Sequence, residues 1–141
     1  MTREDIQRFF ERHNDASKRR DTEALALDYA EHCVVESPAA GGEIRGRAAI
    51  EKMSRDFFTS FPDLALENLE LIIDGDRVVQ LATVAGTNIG GFMNLPPTGK
   101  RVQFPIVFIF RFENGLIAHE KRVYDVTGML VQAGVLKAKP I

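Results

Sequence analysis

The residue pattern predicts an α+β domain, with helices in the first sixty residues and antiparallel strands after them. Apolar residues recur at helical spacing as far as Phe58. Two dipeptides, Asp74-Gly75 and Asn114-Gly115, each lie between apolar, strand-like runs. Both are strong hairpin signals, because their turn positions want positive φ. No internal repeat, low-complexity tract or linker interrupts the chain, so residues 1–141 are expected to form a single domain with a substantial core.

The first helix opens at Thr2, where Asp5 three residues on resembles a capping box. Ile6, Phe9, Phe10, His13 and Ala16 then form one apolar stripe, which makes His13 a buried structural histidine. Asp21 is placed to cap a short second helix, Thr22 to Ala30. A brief strand, Cys33 to Glu36, leads into a loop at Ser37-Pro38. The third helix runs from Ala48 to Phe58 with Ile50, Met53 and Phe57 along one side. Phe61-Pro62-Asp63 ends it, since proline cannot continue the hydrogen-bond ladder. Strands Leu64–Ile73 and Arg77–Gly86 flank the first turn, and Val102–Glu113 and Leu116–Asp125 flank the second. A short helix begins after Asp125.

Composition bounds the function. Hydrophobic residues make up 45% and charged ones 27%, the balance of a folded globular chain. With a formal net charge of −2 there is no basic field for nucleic acid, so no nucleic-acid partner is expected. Cys33 is the one cysteine, which rules out an internal disulfide. A lone thiol is usual in the cytoplasm, and cytoplasmic location is the expectation. The opening MTREDIQRFF has no apolar signal core, and no run approaches a membrane span, so no membrane partner is expected.

The second hairpin can be given a register. A two-residue turn at Asn114-Gly115 sets Phe112 opposite Ile117, Phe110 opposite His119, Phe108 opposite Lys121, Ile106 opposite Val123 and Phe104 opposite Asp125. These ten side chains share one face, a phenylalanine wall. The other face carries Arg111, Glu120 and Arg122, which pair across a solvated or subunit-contacting surface. Pro105 suggests a bulge, and one inserted residue would reverse the faces beyond it.

Asp125 is the leading catalytic candidate, because it ends the last strand on the phenylalanine face. A carboxyl group in apolar surroundings has its pKa raised by desolvation, which suits a proton shuttle. Asp is also a preferred N-cap, and Val126-Thr127-Gly128-Met129 reads as a helix start; the two roles are compatible. His119 shares the wall but lies six residues from Asp125, about 20 Å along a strand, too far for a dyad. It is expected to be hydrogen-bonded in the wall or to face solvent near the turn. Glu36 points into a cavity or into solvent. There is no His-Glu-x-x-His and no paired cysteine, so no metal is expected. Neither a Gly-x-Ser-x-Gly elbow nor a phosphate-binding glycine motif is present. An enzyme built on this chain would be a cofactor-free acid–base catalyst.

Several segments, in order and spacing, resemble the SnoaL-like polyketide cyclase (ester cyclase) family of the nuclear-transport-factor-2-like superfamily. They are Tyr29-Ala30-Glu31, Ser37-Pro38, Ile44-Arg45-Gly46-Arg47-Ala48-Ala49-Ile50, Phe61-Pro62-Asp63-Leu64, Gly86-Thr87 and Leu95-Pro96-Pro97-Thr98-Gly99-Lys100. Phe110-Arg111-Phe112-Glu113-Asn114-Gly115 and Asp125 with Gly128, Leu130, Gln132 and Gly134 complete the set. The resemblance implies a cone-shaped barrel, a curved antiparallel sheet wrapped around three N-terminal helices with a short C-terminal helix. It implies a homodimer through the outer sheet face, a small hydrophobic molecule as partner, and no cofactor. In the cyclases, the aspartate matched by Asp125 is the acid/base of an intramolecular aldol closure. Substrate contacts would then come from Phe104, Phe108, Phe110 and His119, with Asn88 or Glu36 orienting an oxygen. Glu36, Asn88 and His119-Glu120-Lys121 depart from the common family pattern. Two other readings stand beside cyclisation or isomerisation: a non-catalytic ligand-binding domain, and a hydrolase or dehydratase of the limonene-epoxide-hydrolase type.

Overall fold

A computed structural model describes residues 1–92, 94–137 and 139. Helix α1 spans Arg3–Lys18 and starts with the expected reciprocal cap: Asp5 N donates to Thr2 Oγ1 at 3.1 Å, and Thr2 N donates to Asp5 Oδ2 at 2.8 Å. Helix α2 spans Thr22–Leu27, capped by Asp21, which accepts from Ala24 N. It ends three residues earlier than the sequence suggests, because the next residues are drawn into the sheet. Ile117 N donates to the Asp28 carbonyl at 2.9 Å, and Arg47 donates twice to the Tyr29 carbonyl, at 3.0 and 2.7 Å.

Strand β1 accordingly begins at Tyr29 and runs to Ser37, and β2, Gly42–Arg45, follows a short 3₁₀ turn. Helix α3 is Arg47–Ser60. Strands β3 (Ala65–Asp74), β4 (Arg77–Thr87), β5 (Arg101–Glu113) and β6 (Leu116–Val123) make up the second half, and α4 (Val126–Gln132) follows. Both turn dipeptides lie where expected, with Asn114 and Gly115 at φ of 51° and 78°.

The six strands form one sheet in the order β2-β1-β6-β5-β4-β3. It is not wholly antiparallel, since β1 runs parallel to β6. The helices cover its inner face. Phe9 meets the edge of Phe112 at 5.0 Å, and Phe10 packs on Phe110 at 5.0 Å, so α1 is seated on β5 by aromatic contacts. Among the described residues no helix is long and apolar enough to cross a membrane.

The β5–β6 register corrects the sequence reading. Phe112 pairs with Ile117 as expected, but Arg111 then pairs with His119, leaving Ala118 as an inserted residue. Ile117 and Ala118 are consequently both buried. Beyond this bulge Phe110 opposes Glu120 and Phe108 opposes Arg122. The two faces of β6 are exchanged: Glu120 and Arg122 join the phenylalanine wall, while His119 and Lys121 turn outward with Val123. The insertion lies in β6 and not at Pro105, which pairs regularly with Thr83.

Candidate active site

A cavity of about 130 Å³ lies between the inner sheet face and the helices, walled by Phe57, Phe58, Phe61, Phe104, Phe108 and Phe110. For comparison, an engineered apolar cavity of roughly 150 Å³ admits benzene. The void is of single-ring size. Two polar groupings break its apolar wall.

The first centres on Glu120, which is 1% exposed. Tyr29 donates its hydroxyl to Oε1, and Arg122 donates Nε to Oε2. The Arg122 guanidinium also lies over the Phe108 ring, 5.5 Å from its centre. Burial and then the Glu120 charge push the Tyr29 phenol well above its usual range, so it stays protonated as a donor. Burial opposes the charge on Arg122. The charge on the Glu120 carboxylate more than offsets this and keeps the guanidinium firmly charged.

The second grouping is on α1. His13 Nδ1 lies 2.7 Å from Asp28 Oδ2, and Arg12 donates to the other Asp28 oxygen at 2.7 Å. Asp28 is 4% exposed. The imidazole stacks on Phe9 at 5.7 Å and lines the cavity. Across from it, Gln80 donates to Asn14 at 3.4 Å. Among the described residues, the buried Tyr124 hydroxyl and Gln80 Oε1 have no hydrogen-bond partner, and both residues line the same cavity. A buried group without a partner loses its hydration uncompensated, so these two atoms are suited to meet a ligand.

The residues singled out from sequence are distributed differently. Phe104, Phe108 and Phe110 line the cavity. Asp125 does not. It is exposed, and its Oδ1 accepts from Gly128 N at 2.9 Å as the N-cap of α4. The strand ends at Val123, so the expected position of Asp125 on the phenylalanine face is not found. Glu36 and His119 are brought together, with His119 Nε2 2.9 Å from Glu36 Oε2, but both are part-exposed and lie outside the lining. Asn88 is fully buried and also outside it. Its side-chain amide donates to Thr98 Oγ1 at 3.2 Å and the Ala133 carbonyl at 3.4 Å, fastening the loop after β4 to the end of α4.

The bulge at Ala118 brings Glu120 and Arg122 to the face opposite the one a regular register gives them. Tyr29 and Gln80, which line the cavity, and Asp28, which reaches it only through His13, carry no spacing signal, because the fold brings them together from separate elements. Among the described residues, no group of three or more His, Cys, Asp or Glu side chains is placed to hold a metal ion.

The sequence matches the SnoaL-like polyketide cyclase family over residues 5–133. Among solved structures, TsrD from Streptomyces laurentii is 26% identical with a TM-score of 0.84, covering 96% of this chain and 99% of that one. AclR from Streptomyces galilaeus, a proposed hydroxylase, is 28% identical with a TM-score of 0.79, covering 95% of this chain and 83% of that one. A protein of ketosteroid isomerase-like fold from Catenulispora acidiphila, solved with trimethylamine, has a TM-score of 0.76 at 19% identity over 94% of this chain and 97% of its own, a likeness of fold alone. No curated protein matches the sequence.

Proposed function

We propose that this chain, which belongs to the SnoaL-like polyketide cyclase family, is a cofactor-independent acid–base enzyme that cyclises or isomerises a small hydrophobic carbonyl compound. The supporting observation is the convergence of His13, Tyr29, Glu120, Arg122 and the unpartnered Tyr124 hydroxyl on one phenylalanine-lined hollow. Removing a proton next to a carbonyl leaves an enolate. Such chemistry asks for a base, a donor to the carbonyl oxygen, and a dry cavity that fixes the geometry. The Tyr124 hydroxyl serves as that donor. The 130 Å³ void favours a ring-sized substrate or the reacting end of a longer one. Asp125 stays outside the proton path and acts as a helix cap.

The test needs no knowledge of the natural substrate. Acetophenone in D₂O exchanges its methyl hydrogens through the enolate, and proton NMR follows the loss. Wild-type protein should speed that exchange above the buffer rate. Binding of one-ring ketones without any acceleration would instead make the domain a ligand-binding module.

A further inference from the structure

We propose that His13 is the catalytic residue that takes and returns the substrate proton, with Asp28 as its positioning residue. The inference rests on the acid–base reading above and names the group that performs it. Other carboxylates are poor candidates. Each oxygen of Glu120 already accepts a donor, from Tyr29 and from Arg122, and a proton placed there would strip a buried guanidinium of its counter-charge. Asp125 is exposed and outside the cavity.

His13 has what these lack. Its Nδ1 is held by Asp28 at 2.7 Å, which sets the tautomer with hydrogen on Nδ1. Nε2 then carries the free lone pair, and among the described residues it accepts or donates no hydrogen bond. The ring plane is fixed by the stacked Phe9 and by the edge contact with Phe10 at 6.1 Å. Asp28 is itself held by hydrogen bonds at its backbone and side chain. Its carbonyl accepts from Ile117 N, its amide donates to the Leu25 carbonyl at 3.2 Å, and Arg12 occupies its second oxygen. The charged and titratable groups around the imidazole are therefore Arg12 from α1, Asp28 at the end of α2, Tyr29 from β1, and the Glu120–Arg122 pair in the same cavity. A base oriented by a buried carboxylate and open to an apolar void has the layout of general-base catalysis.

In the reaction, Nε2 takes a proton from the carbon beside the carbonyl. The C–H electron pair becomes the enolate double bond, and the carbonyl π pair moves to oxygen. Asp28 faces the resulting imidazolium. The enolate carbon then bonds to a second carbonyl carbon of the same molecule, whose oxygen takes the proton back from Nε2. In an isomerisation the proton returns to a different carbon. Nothing is oxidised or reduced.

The deciding experiment is acetophenone exchange in D₂O for wild type, His13→Gln, Asp28→Asn and His13→Ala, each checked by near-UV circular dichroism. His13→Gln should lose about a hundredfold or more of the acceleration, the scale of a missing general base. Asp28→Asn should lose activity and displace the pH profile. Imidazole added to His13→Ala should restore exchange, which a purely structural histidine would not permit. Long-range ¹H–¹⁵N spectra of wild type should show the Nδ1–H tautomer. Exchange retained by folded His13→Gln overturns the assignment of His13 alone. An Nε2–H tautomer also overturns it, and that measurement decides if the variants fail to fold. Absence of exchange by wild type removes the acid–base reading and this assignment with it.

Discussion

Tyr29 of β1 donates its hydroxyl hydrogen to Oε1 of Glu120 on β6, closing the parallel seam of the sheet at a fully buried point. Tyr29→Phe removes the donor and leaves a buried carboxylate oxygen short of a partner. The expected cost is about 1–3 kcal/mol, read as a lower urea midpoint at unchanged slope. The raised phenol pKa also sets a pH dependence. The unfolded tyrosine ionises near pH ~10, whereas the folded one holds its proton higher. This contribution is therefore complete below that pH and is lost as pH climbs beyond it. Absorbance at the phenolate band should show one tyrosine ionising only as the protein unfolds.

Arg122 and Glu120 form a pair whose halves are unequal to its whole. Arg122→Ala abandons a carboxylate that is 1% exposed and should cost about 3–5 kcal/mol. The double variant Glu120→Gln with Arg122→Met removes both charges and should recover most of that loss. Chemical denaturation of wild type, Glu120→Gln, Arg122→Met and the double variant measures the coupling; strict additivity of the two single variants would show that the pair is uncoupled.

Asp125 is predicted to matter for α4 and not for proton transfer. Asn is as good an N-cap as Asp, so Asp125→Asn should keep both stability and acetophenone exchange near wild type. Asp125→Ala should cost about 1 kcal/mol of stability. Gly128→Ala should also weaken the cap, since a Cβ there would stand 2.3 Å from Asp125 Oδ2. Loss of exchange in a stable Asp125→Asn protein would return Asp125 to the reaction.

We propose that the outer sheet face joins two copies of this chain. Val79, Leu81, Val107, Ile109 and Val123 share that face by register, and Ile72 and Val123 on it are 52% and 47% exposed. Light scattering after size exclusion should give a dimer mass, and Val123→Glu should lower it to the monomer. A monomeric wild type would discard the proposal.

Much of the architecture was legible in residues that impose backbone geometry. Asp74-Gly75 and Asn114-Gly115 located both hairpins, Thr2 and Asp5 located the first helix, and Pro62 its last helical neighbour's end. The even-numbered phenylalanines of β5 announced an apolar wall. The polar half of the site was not legible, for two physical reasons. Ala118 is as content inside as any small residue, so its insertion leaves no mark in composition. His13 is on α1 and Asp28 lies just past the end of α2, and their contact is created by the chain reversal between the two helices and by the Asp28 carbonyl joining β6. Local patterns report local geometry, whereas a meeting of separate elements depends on the packed whole.

The extra residue in β6 has a wider consequence. Because a strand presents alternate positions to opposite sides, this single unpaired residue decides which groups of β6 reach the hollow. Drawn straight, with Ala118 opposite Arg111, the strand would send His119, Lys121 and Val123 inward and Glu120 and Arg122 out to water. Deleting Ala118 would instead keep Arg111 opposite His119 and Phe110 opposite Glu120, so the interior groups would hold their places with the kink removed.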